Sequence, residues 1–345
     1  MEIKKLLTDL CGLMSVVGFE YHDEEKLTEI VSPYFDEHEY DNVGNHIFVK
    51  RCGKEDAKRL FIDVHYDEVG LMVKGITDDG FLRVCTLGGL DPRILPASEV
   101  VVYGKETLPG IVLMKPATLM NSKEKEKLTP VNDLLVDVGL TKEEAETLTP
   151  IGTPIGYAPV YTELRGDYVA GKGMDDKCCA VPVLAAVSAL DMNTLDCDIY
   201  FSLSAREEVG HRAVSAAAFR IRPDAAIVID VAFGFAPEGK KPDDADMKGG
   251  PTVTLSALLD KDLTDFVIET AKKAEIPYQP IVDATETGTH ADELVYAAGG
   301  IPTVLLGVPV WFMHTANEVV AIDGLKYTAK LLAAVIREKY GRKDG

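Results

Sequence analysis

The chain has too few cations to match its anions. Thirty-six Lys and Arg stand against 56 Asp and Glu, a formal net charge of −20 over 345 residues. That balance argues against nucleic acid as a partner, because phosphate binding draws on Lys and Arg. Long apolar runs are missing too. No stretch approaches the length of a bilayer span, and the opening Met-Glu-Ile-Lys-Lys-Leu-Leu-Thr-Asp-Leu is broken by acids. Neither a membrane segment nor a secretory leader is expected. The six cysteines form no C-x-x-C pair, and a chain of this size needs no disulfide staples. Reduced thiols and a cytoplasmic location are the expectation. Internal repeats and low-complexity tracts are absent. What remains is an ordinary globular composition, 46% hydrophobic and 27% charged, at a length that predicts two domains.

Apolar spacing gives the outline. Leu6, Leu7, Leu10 and Leu13 predict an opening helix, and a second is expected over 22–35 with Leu27, Ile30 and Val31 inward. Strands are expected over 46–49 and 60–64. From about 71 to 164 short β-type runs alternate with Gly and Pro turns, which predicts a small β-barrel or sandwich. Within it, 121–127 reads as a polar surface loop and Thr141 with Glu144 as a capping box. The α/β texture then returns. An apolar helix is expected over 180–190, with Pro182 a kink unless the helix begins just before it. Strands follow at 198–203, 225–231, 281–282 and within 300–307. Helices are expected over 213–219, 263–274 and 325–339. The pattern describes an α/β domain of residues 1–70 and 165–345, a central mixed sheet flanked by helices, interrupted by a β-rich insert at 71–164.

Polar signals gather at the ends of these strands. His65 follows one strand, and Glu207-Glu208 follow another. Asp230 sits at the end of a third, and His314 lies beyond a fourth. Asp175-Asp176 precede the apolar helix. In an open α/β sheet ligands bind outside the carboxyl ends of strands, so these residues would converge on one rim. Each has a plainer reading alone: a hydrogen-bonded histidine, a helix cap for Asp175-Asp176, a solvated strand end for Glu207-Glu208. Together they make an N/O ligand set suited to zinc, cobalt or manganese. Two divalent ions bridged by a carboxylate support hydrolysis, and a free carboxylate beside them serves as general base. Adjacent glutamates could supply one ligand and one base. His22, His38 and His46 lie in polar, surface-like contexts and are set aside; His211 and His290 have no clear partner.

The motifs that carry a resemblance run through nearly the whole chain in order. They are Ser15-Val16-Val17-Gly18-Phe19-Glu20, His65-Tyr66-Asp67-Glu68-Val69-Gly70, Val136-Asp137-Val138-Gly139, Gly171-Lys172-Gly173-Met174-Asp175-Asp176-Lys177, Glu207-Glu208-Val209-Gly210, Ile229-Asp230-Val231 and Phe312-Met313-His314-Thr315. With them the chain resembles the glutamyl/deblocking aminopeptidases, which include tetrahedral cytosolic aminopeptidases and proteins once labelled cellulase M. The resemblance implies a zinc-peptidase-like fold and a dinuclear metallo-aminopeptidase acting on short peptides. It implies two divalent ions per subunit, zinc with cobalt or manganese as alternatives. His65, Asp175 and Glu208 would hold one ion, and Asp175, Asp230 and His314 the other. Glu207 would be the general base, and Asp67 would orient His65. A cis peptide between Asp175 and Asp176 is implied as well. So is dimerisation through the β-rich insert, with assembly of this homo-oligomer from dimer up to dodecamer.

Departures from that family are local. Tyr66 stands where Met is usual, Lys177 where Arg is, His211 where Leu is and His290 where an acid is. None removes an implied ligand. Cys178 and Cys179 follow Asp175 closely and pose a redox or soft-metal question beside plain helix packing. Two other function classes stay open. A glycoside hydrolase needs a carboxylate pair and no metal, which leaves His65 and His314 unexplained. A non-catalytic metal-binding oligomer would leave the base without a task.

Overall fold

The computed structural model describes residues 2–235 and 245–342. Three strands precede the insert: β1 (Glu37–Tyr40), β2 (His46–Lys50) and β3 (Lys58–His65). The insert supplies β4 (Gly70–Ile76), β5 (Leu82–Leu87), β6 (Glu99–Tyr103), β7 (Thr107–Leu113), β8 (Leu135–Asp137) and β9 (Pro154–Tyr157). These close into a barrel in the order β4-β5-β8-β7-β6-β9. Alternate residues such as Leu71 and Val73, Leu82 and Val84, and Val100 and Val102 fill its interior, as the two-residue period of a strand requires. The β-rich texture of the sequence thus resolves as a barrel.

The chain then forms β10 (Thr162–Leu164), β11 (Tyr168–Gly171), β12 (Cys197–Ser204), β13 (Ala225–Phe233), β14 (Thr252–Ser256), β15 (Gln279–Asp283), β16 (Thr303–Trp311) and β17 (Glu318–Ala321). With β1 to β3 they build one mixed eleven-stranded sheet, ordered β1-β2-β12-β3-β13-β16-β17-β11-β10, with β14 and β15 branching from β16. The central strands β12, β3, β13 and β16 are mutually parallel. β11 pairs antiparallel with β17, and β17 with β16, so β11 ends on the same side as the central four.

Strand parity decides what each face holds. Leu60, Ile62 and Val64 of β3, Ile199, Phe201 and Leu203 of β12, and Ile227 and Ile229 of β13 pack into one core layer. The helices Ile3–Cys11, Ala180–Ala189, Lys261–Lys273 and Ile322–Tyr340 cover that layer. Phe61, Val228 and Leu305 face the other way, under the helices Val214–Ile221 and Ala291–Leu294. On this second face the apolar series stops before the strands do. Phe61 is followed at the same parity by Asp63 and His65, Val228 by Asp230, and Tyr200 by Ser202 and Ser204. One corner of the sheet is therefore polar and buried, at the carboxyl ends of the parallel strands.

Several local expectations change in detail. The helix expected over 22–35 is Glu24–Val31, with the one-turn segment Ser32–Tyr34 after it. Pro182 lies in the first turn of its helix, where no intrahelical donor is lost, so it causes no break. The Thr141–Glu144 capping box is present. His46 corrects its surface assignment: it is fully buried, its ring stacked on His38 at 5.4 Å, because it begins β2 between β1 and β12. Burial pushes its pKa down to about 3. All six cysteines are unpaired. Among the described residues no helix is long and apolar enough to cross a membrane.

A buried ion cluster ties the loop after β3 to the loop after β11. Lys172 Nζ donates to Glu68 Oε1 and Oε2 at 2.7 and 2.8 Å and to the Leu13 carbonyl at 3.1 Å. Lys177 Nζ donates to Glu68 Oε2 at 3.1 Å, to Ser15 Oγ at 2.8 Å and to the Leu13 carbonyl at 3.0 Å. It also lies 5.7 Å from the centre of the Tyr66 ring, so two of the departing residues meet here. Burial would raise the Glu68 carboxyl, but the two ammonium groups hold it below its usual value. Removing the one anion strands two buried cations. Glu68→Gln should therefore cost about 3–5 kcal/mol, read as a lowered thermal unfolding midpoint; an unchanged midpoint would show that the lysines find water.

Candidate metal centre

Each sequence-predicted residue reaches the polar corner by a different local device. His65 ends β3, and Asp230 lies inside β13 at the same parity as Val228. Arg206, with φ 61°, takes the left-handed conformation that turns the chain out of the sheet after β12. Glu207 and Glu208 then stand in the single turn Glu207–Val209, so the acidic pair does leave the sheet at this point. Asp175 follows β11, and its peptide to Asp176 is cis, as the resemblance implies. His314 lies just beyond β16, with φ 62°.

The structure brings all of them together. His65 Nε2 lies 3.0 Å from Asp175 Oδ1 and 3.9 Å from Asp230 Oδ1. His314 Nε2 lies 3.3 Å from Asp175 Oδ2 and 3.3 Å from Glu208 Oε1. Ligand atoms of His65, Asp175 and Asp230 all fall within 4.8 Å of one another, and so do those of Asp175, Glu208 and His314. This regroups the expected sets: Asp230 stands with His65, and Glu208 with His314. The reason is sheet order, since β13 is the neighbour of β3 while the Glu207–Val209 turn reaches across to the loop after β16.

Both imidazoles are tethered the same way. His65 Nδ1 donates to the Asp67 carbonyl at 3.0 Å, and His314 Nδ1 to the Gly89 carbonyl at 2.8 Å. That places the hydrogen on Nδ1 and leaves Nε2 facing the carboxylates, the arrangement of a metal-ligating histidine. Gly89 belongs to the barrel insert, which thus reaches the site; a Cβ there would sit 3.4 Å from the His314 ring. The buried carboxylates of Asp175 and Asp230, the half-buried Glu208 and two imidazole Nε2 atoms turned toward them make a donor set, with no lysine or arginine in it, that fits divalent ions.

A second ring of buried carboxylates accepts main-chain N–H groups and fixes the loops. Asp67 Oδ1 and Oδ2 accept from the amides of Glu207 and Glu208 at 2.9 and 3.0 Å. Its Oδ1 is 3.7 Å from His65 Nδ1, so the ring is oriented by the Asp67 carbonyl and the carboxylate holds the glutamate turn. Glu318, at the start of β17, accepts from His314 N at 2.7 Å and Asp175 N at 3.1 Å. Asp176 Oδ2 accepts from His65 N at 3.2 Å, and Glu20 Oε1 from Arg206 N at 3.1 Å. Glu318 was not among the expected residues. It lies outside every motif, although an acid opening a run of apolar residues was a visible signal.

Crowding sets the charges. Burial raises Asp230 well above the usual carboxylate range and Glu208 to about 7. Burial acts on Asp175 in the same direction, but hydrogen bonds from His314 and His65 hold it well below. Those contacts raise His314 to about 11, through Asp175 first and then Glu208. For His65 burial opposes charge, yet Asp175, Glu207 and Asp230 outweigh it and raise the imidazole. Two histidines without an expected partner also stand here. His211 Nε2 lies 3.0 Å from Glu207 Oε1, and His290 Nδ1 lies 2.7 Å from Asp63 Oδ2. His290 Nε2 is buried with no hydrogen-bond partner among the described residues.

A family profile described as M42 glutamyl aminopeptidase matches residues 44–331. The chain is 31% identical to the lysyl aminopeptidase of Pyrococcus furiosus over 339 residues, covering 97% of this chain and 96% of that one. Among solved structures it is similar to an aminopeptidase from the archaeon Desulfurococcus kamchatkensis, at 27% identity and a TM-score of 0.90 over 98% and 95% of the two chains. It is also similar to the TET1 peptidase of Pyrococcus horikoshii, which can assemble into a tetrahedron or a large octahedral shell, at 27% identity and a TM-score of 0.83 over 97% and 99%. Both share the flanked mixed sheet with its inserted barrel over nearly the whole chain.

Proposed function

The chain belongs to the M42 glutamyl aminopeptidase family and is a metal-dependent aminopeptidase; from that premise we propose that it removes N-terminal residues from short peptides with two divalent ions held across Asp175. His65, Asp175 and Asp230 would hold one ion, and Asp175, Glu208 and His314 the other. Zinc suits this N/O set, with cobalt and manganese as alternatives. The observation that carries the reading is the division of one carboxylate: Asp175 Oδ1 faces His65 and Oδ2 faces His314.

When bound, the ions polarise the scissile carbonyl and bring the pKa of water toward neutrality. Glu207 is the general base. Its Oε2 points toward the ligand cluster, 4.0 Å from His65 Nε2, and it is not needed to complete either ligand set. It takes a proton from water as the C–O bond forms and returns it to the amine nitrogen as the C–N bond breaks. Asp67 and Glu318 hold the loops that carry base and ligands. Residues 1–70 and 165–345 form the catalytic domain in this reading. The insert at 71–164 is the dimerisation element of a cytoplasmic homo-oligomer, dimers building the larger shell.

Chelation tests the reading. Stripped protein should be inactive on a panel of aminoacyl amides and recover with zinc, cobalt or manganese. Chelator-insensitive cleavage of a β-glucan would favour a glycosidase instead. Metal affinity should also depend on pH with a fixed sign. His314 (about 11) and Glu208 (about 7) both hold protons below neutrality in the metal-free protein, and both must lose them to bind. Affinity should therefore rise with pH across 6 to 8, by roughly tenfold per unit for each proton released. Calorimetry in buffers of different ionisation enthalpy would count those protons; zero release would contradict the ligand assignment.

A further inference from the structure

We propose that His211 is a positioning residue for Glu207, braced by an Asp63–His290 pair, and that it fixes the plane in which the Glu207 carboxylate faces the reacting water. The proposal rests on the reading of Glu207 as the base. His211 Nε2 holds Glu207 Oε1 at 3.0 Å, while Oε2 stands 4.0 Å from His65 Nε2. The terminal torsion of a glutamate is broad and two-fold. A carboxylate held at one oxygen keeps its plane and so the direction of the other oxygen, whereas an untethered one swings through that broad torsion.

The tether is itself supported. The His290 ring meets His211 edge-on at 6.4 Å and 86°, and meets His65 at 6.3 Å and 75°. His290 is thus a wedge between the imidazole on the base and an imidazole of the ligand set. It is 1% exposed, and Asp63 fixes its Nδ1 at 2.7 Å while also accepting from Ser204 Oγ. His211 stands on Glu207 and His290 on His211, so the two rings form one edge-on stack behind the same carboxylate. His211 lies four residues after Glu207 and across one turn, so its imidazole reaches the carboxylate without rearranging the loop.

The test compares zinc-loaded wild type with His211→Leu, His211→Gln, His211→Asn and Glu207→Gln, all on the best substrate of the aminoacyl amide panel. His211→Leu keeps bulk but has no donor. It should lower kcat by about 10- to 100-fold with KM within about twofold, since only transition-state geometry is lost. Zinc content and thermal midpoint should stay at wild type. In its crystal structure Glu207 Oε2 should leave its place beside His65. His211→Gln carries an amide nitrogen near the position of Nε2 and should recover most of kcat. His211→Asn is too short to reach and should fall like Leu; it decides the matter if the Leu variant does not fold. Wild-type kcat in both Leu and Asn variants, beside an inactive Glu207→Gln, would overturn the positioning role and leave the base assignment standing. Lost zinc, or a raised KM at unchanged kcat, would overturn it too, by moving His211 onto the ions or the substrate. An active Glu207→Gln would sink both claims.

Discussion

Glu207→Gln should yield a folded protein with its full complement of metal and a kcat lowered by about 10²–10⁴-fold. The substitution keeps volume and can still accept from His211, whose Nε2 lies 3.0 Å from Glu207 Oε1. What it removes is a carboxylate able to take a proton and give it back. The amide of Glu207 remains bound to Asp67 Oδ1, so the turn should hold its shape. KM should change little, because the lost interaction belongs to proton transfer in the transition state. Steady-state kinetics beside metal analysis checks both halves. If metal were lost and Glu208→Gln kept it, the roles of the two glutamates would be exchanged.

Asp175→Ala should remove both ions and all measurable peptidase activity, where His314→Ala should remove one. Among the described residues only Asp175 faces both imidazoles, at 3.0 and 3.3 Å. His314 Nε2 faces Asp175 and Glu208, which leaves His65, Asp175 and Asp230 as a complete set. Metal analysis after dialysis should fall from about two ions per chain toward zero in the first variant and to about one in the second. An Asp175→Ala protein that still carries one tightly held ion would mean that the carboxylate does not bridge.

The architecture was legible because two periods changed cleanly along the chain. Apolar spacing marked the opening and closing helices, and Gly/Pro punctuation marked the insert that closes as a barrel. All five expected ligand residues meet in one corner because four sit at or beyond the carboxyl end of a strand and Asp230 lies in the last part of β13, a placement the sequence largely shows. Their pairing was not legible. It depends on β13 lying beside β3 and on how far the Glu207–Val209 turn reaches, neither of which is encoded locally. His46 reads as a surface residue because its neighbours are polar. Its burial comes from β1 and β12 on either side of β2, a non-local fact. Asp63 carries a readable signal, a carboxylate in an apolar strand two residues before His65 and so on the same face. His211 and His290 appeared partnerless because their partners, Glu207 and Asp63, are supplied by a turn and by a strand 227 residues away.

The most direct measurement is anomalous diffraction at the zinc edge from crystals of zinc-loaded protein. Two peaks are expected, sharing Asp175. One should lie about 2.0–2.2 Å from His65 Nε2 and an Asp230 oxygen, the other at that distance from His314 Nε2 and a Glu208 oxygen, with Glu207 on neither. A single peak, or two peaks that pair His65 with Glu208 and Asp230 with His314, would contradict the centre described here.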